Sequence, residues 1–139
     1  MRQLHYEFIE HTADIGIRVR APDEKSLFVD AALSMFDMIA RKVSTQSSER
    51  NFPIELGAEN REELFVAWLN ELLSLSTTEN VIVSDIDIER LRADSLKARV
   101  RGESMASYEF KTEVKAATYH GLKVEQSGKD WLAEVIFDV

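Results

Sequence analysis

Near the N-terminus, apolar and polar residues alternate with a period of two on both sides of a short polar break. Upstream, Leu4, Tyr6 and Phe8 alternate with His5, Glu7 and Ile9; downstream, Ile15, Ile17 and Val19 alternate with Gly16, Arg18 and Arg20. That pattern predicts two strands separated by His11-Thr12-Ala13-Asp14. The period then becomes helical. Leu27, Phe28, Ala31, Ala32, Met35, Phe36 and Ile39 form an apolar stripe behind Pro22-Asp23-Glu24-Lys25, where Asp23 is suited to cap the first turn. Arg41 and Lys42 are expected to close this helix at the negative end of its dipole. Residues 44–50 read as a loop. Phe52, Ile54 and Leu56 predict a short strand, which Pro53 restricts to an edge or a strand start.

Asn60 followed by Glu63 resembles a capping box and opens the strongest helical pattern in the chain. Leu64, Phe65, Trp68, Leu69, Leu72 and Leu73 give it a wide buried stripe, and Ser74 to Glu79 are expected to end it. Strand patterns follow. Ile82, Ser84, Ile86 and Ile88 oppose Val83, Asp85, Asp87 and Glu89; Arg90 to Asp94 connect; Leu96, Ala98 and Val100 then alternate with Lys97, Arg99 and Arg101. The acidic and basic rows are expected to face each other across an antiparallel pair. Asp85, Asp87 and Glu89, two apart on a strand, form a solvated row in preference to a cation cluster.

After a break at Gly102-Glu103-Ser104, alternation resumes from Phe110 to Thr118 and predicts one strand. Tyr119-His120-Gly121 turns into Leu122 to Glu125, and Ser127-Gly128-Lys129 turns into a final strand from Trp131 to Val139. On that strand Glu134 and Asp138 share a face with Leu132 and Ile136. The order is two strands, helix, strand, helix and about five strands. Such segregation predicts an α+β fold, two helices packed on mainly antiparallel sheet, in a single domain spanning residues 1–139.

Composition narrows the chemistry. The chain has 139 residues, 45% hydrophobic and 30% charged, enough for one real core. Its net charge of −8 argues against unaided binding along a nucleic-acid backbone and suits a carboxylate cation site or a basic partner. It has no cysteine, which excludes thiolate sites and disulfides. No apolar run is long enough to span a membrane and no signal-peptide pattern is present, so a cytoplasmic protein is expected.

Three polar patches are candidates for function: His11 to Gly16; Glu113, Lys115, Tyr119 and His120; and Asp138 with the Val139 carboxylate. In the first, Thr12 and Asp14 also suit a simple bend, and Gly16 suits a close backbone approach to a ligand. Hard divalent cations take several oxygen ligands. Asp14, Asp138 and the chain end would supply them if the first and last strands are neighbours. The plain alternative for Lys115 is a solvated lysine paired with Glu113 or Glu134.

Four segments together resemble the archease family: His11-Thr12-Ala13-Asp14-Ile15-Gly16, Trp68-Leu69-Asn70-Glu71-Leu72-Leu73, Val114 to Leu122, and Ile136-Phe137-Asp138-Val139. The resemblance runs from Leu4 to the last residue. It implies a non-enzymatic activator of the RtcB-type RNA ligase, which joins a 3′-phosphate or 2′,3′-cyclic phosphate end to a 5′-hydroxyl end in transfer-RNA splicing and RNA repair. It implies promotion of the ligase's GTP-dependent guanylylation, with RNA met only through the ligase. It also implies a divalent ion (calcium, magnesium or manganese) on Asp14, Asp138 and Val139, and a functional lysine at Lys115 with Glu113 nearby. His11 and His120 join these from their positions in the motifs. A monomer or weak dimer is expected. Two other functions suit the same residues: a chaperone-like module for RNA-processing enzymes, and a stand-alone metal-dependent phosphoester hydrolase.

Overall fold

The computed structural model describes residues 3–9, 14–46 and 48–139, and these form ten strands and two helices. Strands β1 (Tyr6–Ile9) and β2 (Ile15–Ala21) form the antiparallel pair that the N-terminal alternation predicts. Helix α1 (Glu24–Ile39) starts where expected, with Asp23 Oδ1 accepting from the Ser26 amide at 2.8 Å. It ends earlier than expected. Ala40 is extended, and Arg41 and Lys42 belong to a short strand, β3 (Ala40–Lys42). The reason is tertiary: the Ile39 carbonyl accepts from the amides of Lys111 and Thr112, satisfying a helix end that otherwise wants cations.

β4 (Glu49–Gly57) is longer than the pattern indicated and, among the described residues, pairs only with β6, so Pro53 does lie on an edge. Helix α2 (Arg61–Glu79) is capped by Asn60 Oδ1 on the Glu63 amide at 2.8 Å. It runs through the Ser/Thr segment expected to end it. Thr77 donates its hydroxyl back to the Leu73 carbonyl and Ser76 donates to the Val81 carbonyl, so both hydroxyls are satisfied without unwinding the helix. The terminus is set instead by Asn80, left-handed at φ 56°.

β5 (Val81–Arg92) and β6 (Ser95–Ser104) form a hairpin closed by Ala93-Asp94, tighter than the expected five-residue connection. The strand continues through Gly102. A Cβ there would lie 2.7 and 2.8 Å from Val81 Cγ2 and Cβ, so only glycine lets β6 pass β5 at this point. The charged rows do face each other: Arg101 lies 3.0 Å from Asp85 and 3.8 Å from Glu49, and Arg99 3.9 Å from Glu89.

A 3-10 turn (Met105–Ser107) leads to β7 (Tyr108–Phe110), which pairs with β3. The single strand predicted over Phe110 to Thr118 is broken. Phe110 ends β7, Ala116–Ala117 (β8) pair with β10, and residues 111–115 cross between the two sheets. β9 (Lys123–Ser127) and β10 (Asp130–Asp138) complete the chain. The strands form a five-stranded sheet in which β1, β2, β10 and β8 lie in that order and β9 also pairs β10, a β4-β6-β5 sheet, and the β3-β7 pair. All pairings are antiparallel, as expected for α+β. One apolar cluster joins both helices to the two larger sheets, with Trp68, Phe28, Phe65 and Phe137 among its largest fully buried side chains.

The β3-β7 pair is anchored by a buried carboxylate. Glu103 receives Lys42 Nζ at 2.7 Å and the Tyr108 hydroxyl at 3.2 Å. Burial pushes its carboxyl up, but the hydrogen bond and charge of Lys42, with Tyr108, outweigh burial and hold it below the ordinary carboxylate range. The same burial, with the Glu103 charge, pushes the Tyr108 phenol up to about 12. A depressed carboxylate contributes stability that is complete above its unfolded pKa and disappears as pH falls through the folded value. Urea unfolding followed from neutral to acid pH is therefore expected to show the wild type losing more stability than Glu103→Gln; equal losses would remove this pair as an acid-sensitive contact.

Candidate functional site

β2 and β10 are neighbours, as the carboxylate reading required. Their register ends at Phe137 opposite Ile15, so the next step along the two chains sets Asp138 against Asp14. β8 flanks β10 on the other side, with Asp138 opposite Ala116, and the Lys115 amide donates to the Asp138 carbonyl at 2.8 Å. Three adjacent chains therefore bring Asp14, Asp138, Val139 and Lys115 to one end of the five-stranded sheet. Strand alternation assigns Asp138, Ile136 and Glu134 to the same face as Gly16 and Arg18.

Gly16 has a different use from the one expected. A Cβ there would meet Ile9 Cβ at 3.1 Å and Ile136 Cγ1 at 3.4 Å. The glycine lets two isoleucines of the flanking strands approach over β2; the close approach is of side chains, with no ligand needed to explain it. Beyond them lies a charged row across four strands: Arg18 bonds Glu134 at 2.7 Å and Glu7 at 3.2 Å, and Lys123 lies 4.0 Å from Glu134. The hydrogen bonds to Glu134 and Glu7 hold the Arg18 guanidinium above its ordinary value.

That row bears on Lys115. Glu134 is engaged by Arg18 and Lys123, and among the described residues neither Lys115 nor Glu113 has an ion-pair partner. The pairing that would make Lys115 an ordinary surface lysine is not formed. Lys115 and Glu113 instead line a groove of about 730 Å³ between α2 and residues 110–116. Tyr119 and His120, grouped with them by sequence proximity, stand apart on the β8–β9 turn. There the His120 amide donates to Thr118 Oγ1 at 3.3 Å, and Gly121 turns the chain at φ +62°. His11, with Thr12 and Ala13, lies outside the described residues.

One residue that positions the site was quoted in a motif without a role. Asn70 on α2 accepts from the Ala117 amide at 2.7 Å and donates to the Ala117 carbonyl at 3.1 Å. It serves as a one-residue partner for the outer edge of β8, holding that strand against β10 and so setting Lys115 beside Asp138. An asparagine at the edge of a leucine-rich helical stripe was the available signal. Its amide matches both peptide groups at once.

The donor set Asp14, Asp138 and Val139 is all oxygen, which suits a hard divalent cation. Among the described residues, however, no group of three or more histidine, cysteine, aspartate or glutamate side chains is arranged to hold a metal ion. Asp14 and Asp138 would supply part of a shell, of the kind that magnesium completes with substrate phosphates and water. Among the described residues no helix is long and apolar enough to cross a membrane.

Fold and site together define a small α+β protein with an oxygen-donor end on a five-stranded sheet and a polar groove beside it. Residues 6–139 match the Archease protein family (MTH1598/TM1083), and the chain belongs to that family. It is 36% identical over 138 residues to the protein archease of Archaeoglobus fulgidus, covering 98% of this chain and all of that one. The solution structure of Methanobacterium thermoautotrophicum protein 1598 is similar, with a TM-score of 0.75, 29% identity and coverage of 96% and 98% of the two chains. So is the crystal structure of a Thermotoga maritima archease described as a possible chaperone, with a TM-score of 0.68, 25% identity and coverage of 100% and 98%.

Proposed function

We propose that this protein activates an RtcB-type RNA ligase, promoting its GTP-dependent guanylylation and multiple turnover in transfer-RNA splicing and RNA repair. Membership of the archease family supports the partner class. The observation that carries the mechanism is the convergence of Asp14, Asp138 and Lys115 on one sheet end through the β2–β10–β8 register. The ammonium group of Lys115 is not paired by the neighbouring charged row.

In this reading Asp14, Asp138 and the Val139 carboxylate would hold a divalent ion (calcium, magnesium or manganese) beside the ligase's GTP site. Such an ion neutralises charge on a triphosphate while guanylyl transfer proceeds. Lys115 contacts a phosphate or a ligase carboxylate, with Glu113 nearby on the same exposed face. Asn70 holds β8 so that Lys115 stays beside Asp138. The acidic protein docks on the basic cleft with which its partner grips RNA.

The test is multiple-turnover ligation by the cognate ligase with GTP and manganese, with this protein absent, present or carrying Asp14→Ala. Acceleration by the wild type but not by the variant is expected. Equal acceleration by both retains the partner and discards the carboxylate mechanism. No effect from folded wild type overturns the activator reading and leaves a chaperone-like module, the description attached to the Thermotoga maritima structure.

A further inference from the structure

The segment from Lys111 to Lys115 has the habit of a strand without a strand partner. Exposure alternates along it: Lys111, Glu113 and Lys115 are exposed, while Thr112 and Val114 are half-buried against the groove floor. Its two ends are tied down, Lys111 and Thr112 to the Ile39 carbonyl and Lys115 to the Asp138 carbonyl. Between them, the peptide groups of Glu113 and Val114 make no hydrogen bond among the described residues. The same holds for ion pairs: the ammonium groups of Lys111 and Lys115 meet no carboxylate among the described residues. Leu73, Met105 and Val114 give the groove an apolar floor, beside the Ser74 hydroxyl.

Unpaired peptide groups on an alternating segment are what an added strand uses: its backbone completes the hydrogen bonds and its alternate side chains read the surface. The spacing of the cations selects the ligand class. In an extended chain, residues four apart stand up to about 13 Å from each other on the same face. The two lysines match carboxylates four residues apart on a second extended chain. We infer that the groove between α2 and residues 110–116 binds an extended peptide segment of a partner protein, with the pattern acidic, apolar, basic or polar, apolar, acidic. The acidic residues stand opposite Lys111 and Lys115, the central basic or polar residue opposite Glu113, and the apolar pair turns toward Leu73 and Val114. The pattern reads the same in both directions, so either strand orientation satisfies it.

This inference goes beyond the ligase reading, and its test contains neither ligase nor metal, so the two fail separately. The ¹⁵N-labelled full chain is titrated with an unlabelled peptide, Gly-Ser-Asp-Val-Lys-Val-Asp-Ser-Gly, and with its charge-reversed counterpart bearing Lys for each Asp and Glu for the central Lys. Saturable shifts of the Glu113 and Val114 amides, with slowed hydrogen exchange at the one of the two that faces the added strand, are expected for the first peptide only. Lys111→Glu, at an exposed position, is expected to weaken binding by about tenfold or more with an otherwise unchanged spectrum; Lys111→Ser is the milder variant should the reversal disturb the fold. Amides unmoved at millimolar peptide, or equal binding of the reversed peptide, would overturn the inference. So would the same shifts produced by inorganic phosphate alone, which would make this an anion site. Shifts that grow with protein concentration in the absence of peptide would also overturn it, by assigning the groove to a second copy of the chain.

Discussion

Trp68→Ala is expected to remove about 3–5 kcal/mol of stability, a large share of the roughly 5–15 kcal/mol that holds a domain of this kind together. Trp68 is fully buried and sits where α2 meets α1, and its indole N–H donates to the Phe28 carbonyl at 2.9 Å. Phe28 in turn meets Phe65 edge-on, ring centres 5.1 Å apart at 89°. Truncation opens a cavity in the one cluster that joins both helices to both larger sheets, and the surrounding aromatic rings collapse into it only in part. Trp68→Phe keeps most of the apolar volume and loses the hydrogen bond, and is expected to cost less, about 1–2 kcal/mol. Urea unfolding followed by circular dichroism measures both. A Trp68→Ala protein as stable as the wild type would mean that the two helices are not held by this contact.

Asn70→Ala is expected to cost about 2–4 kcal/mol and to disturb the candidate site at the same time. The substitution leaves the amide and carbonyl of Ala117, a buried residue, without partners, and each orphaned group costs about 1–3 kcal/mol. Asn70→Asp is expected to behave similarly, because a carboxylate accepts from the amide but cannot donate to the carbonyl. Hydrogen exchange separates the local effect from the global one: the Ala117 amide is expected to accelerate more than amides in β2, such as that of Ile17. Uniform acceleration would show Asn70 to be a general stability residue with no special hold on β8. In the ligation assay, folded Asn70→Ala is expected to activate less well than the wild type, because β8 no longer fixes Lys115 beside Asp138.

Much of this was legible before the fold. Asp23 and Asn60 cap their helices as read, since a cap depends on residues three positions away in the same chain. Arg99 and Arg101 meet Glu89 and Asp85 as the opposing rows predicted, since a hairpin brings sequence neighbours together. The misreadings have a common cause. Arg41 and Lys42 suited a helix end, but Ile39 found the Lys111 and Thr112 amides instead. Residues 111–115 alternate like a strand, yet alternation specifies a face to bury and says nothing about whether a partner strand is present.

By itself, then, the sequence determined the α+β class, the position of both helices and of most strands, and the residue types at the sheet end, because those follow from periodicity, caps and residue type. Tertiary structure alone decided that β2 and β10 lie side by side, that Asn70 stands in for a strand, and that Glu113 and Lys115 share a groove while His120 does not. Asp14 and Asp138 are close in space and far apart in sequence. Their meeting depends on closing a loop of nearly the whole chain, which burial of Ile17, Val135 and Phe137 in a common core drives and which no local pattern encodes.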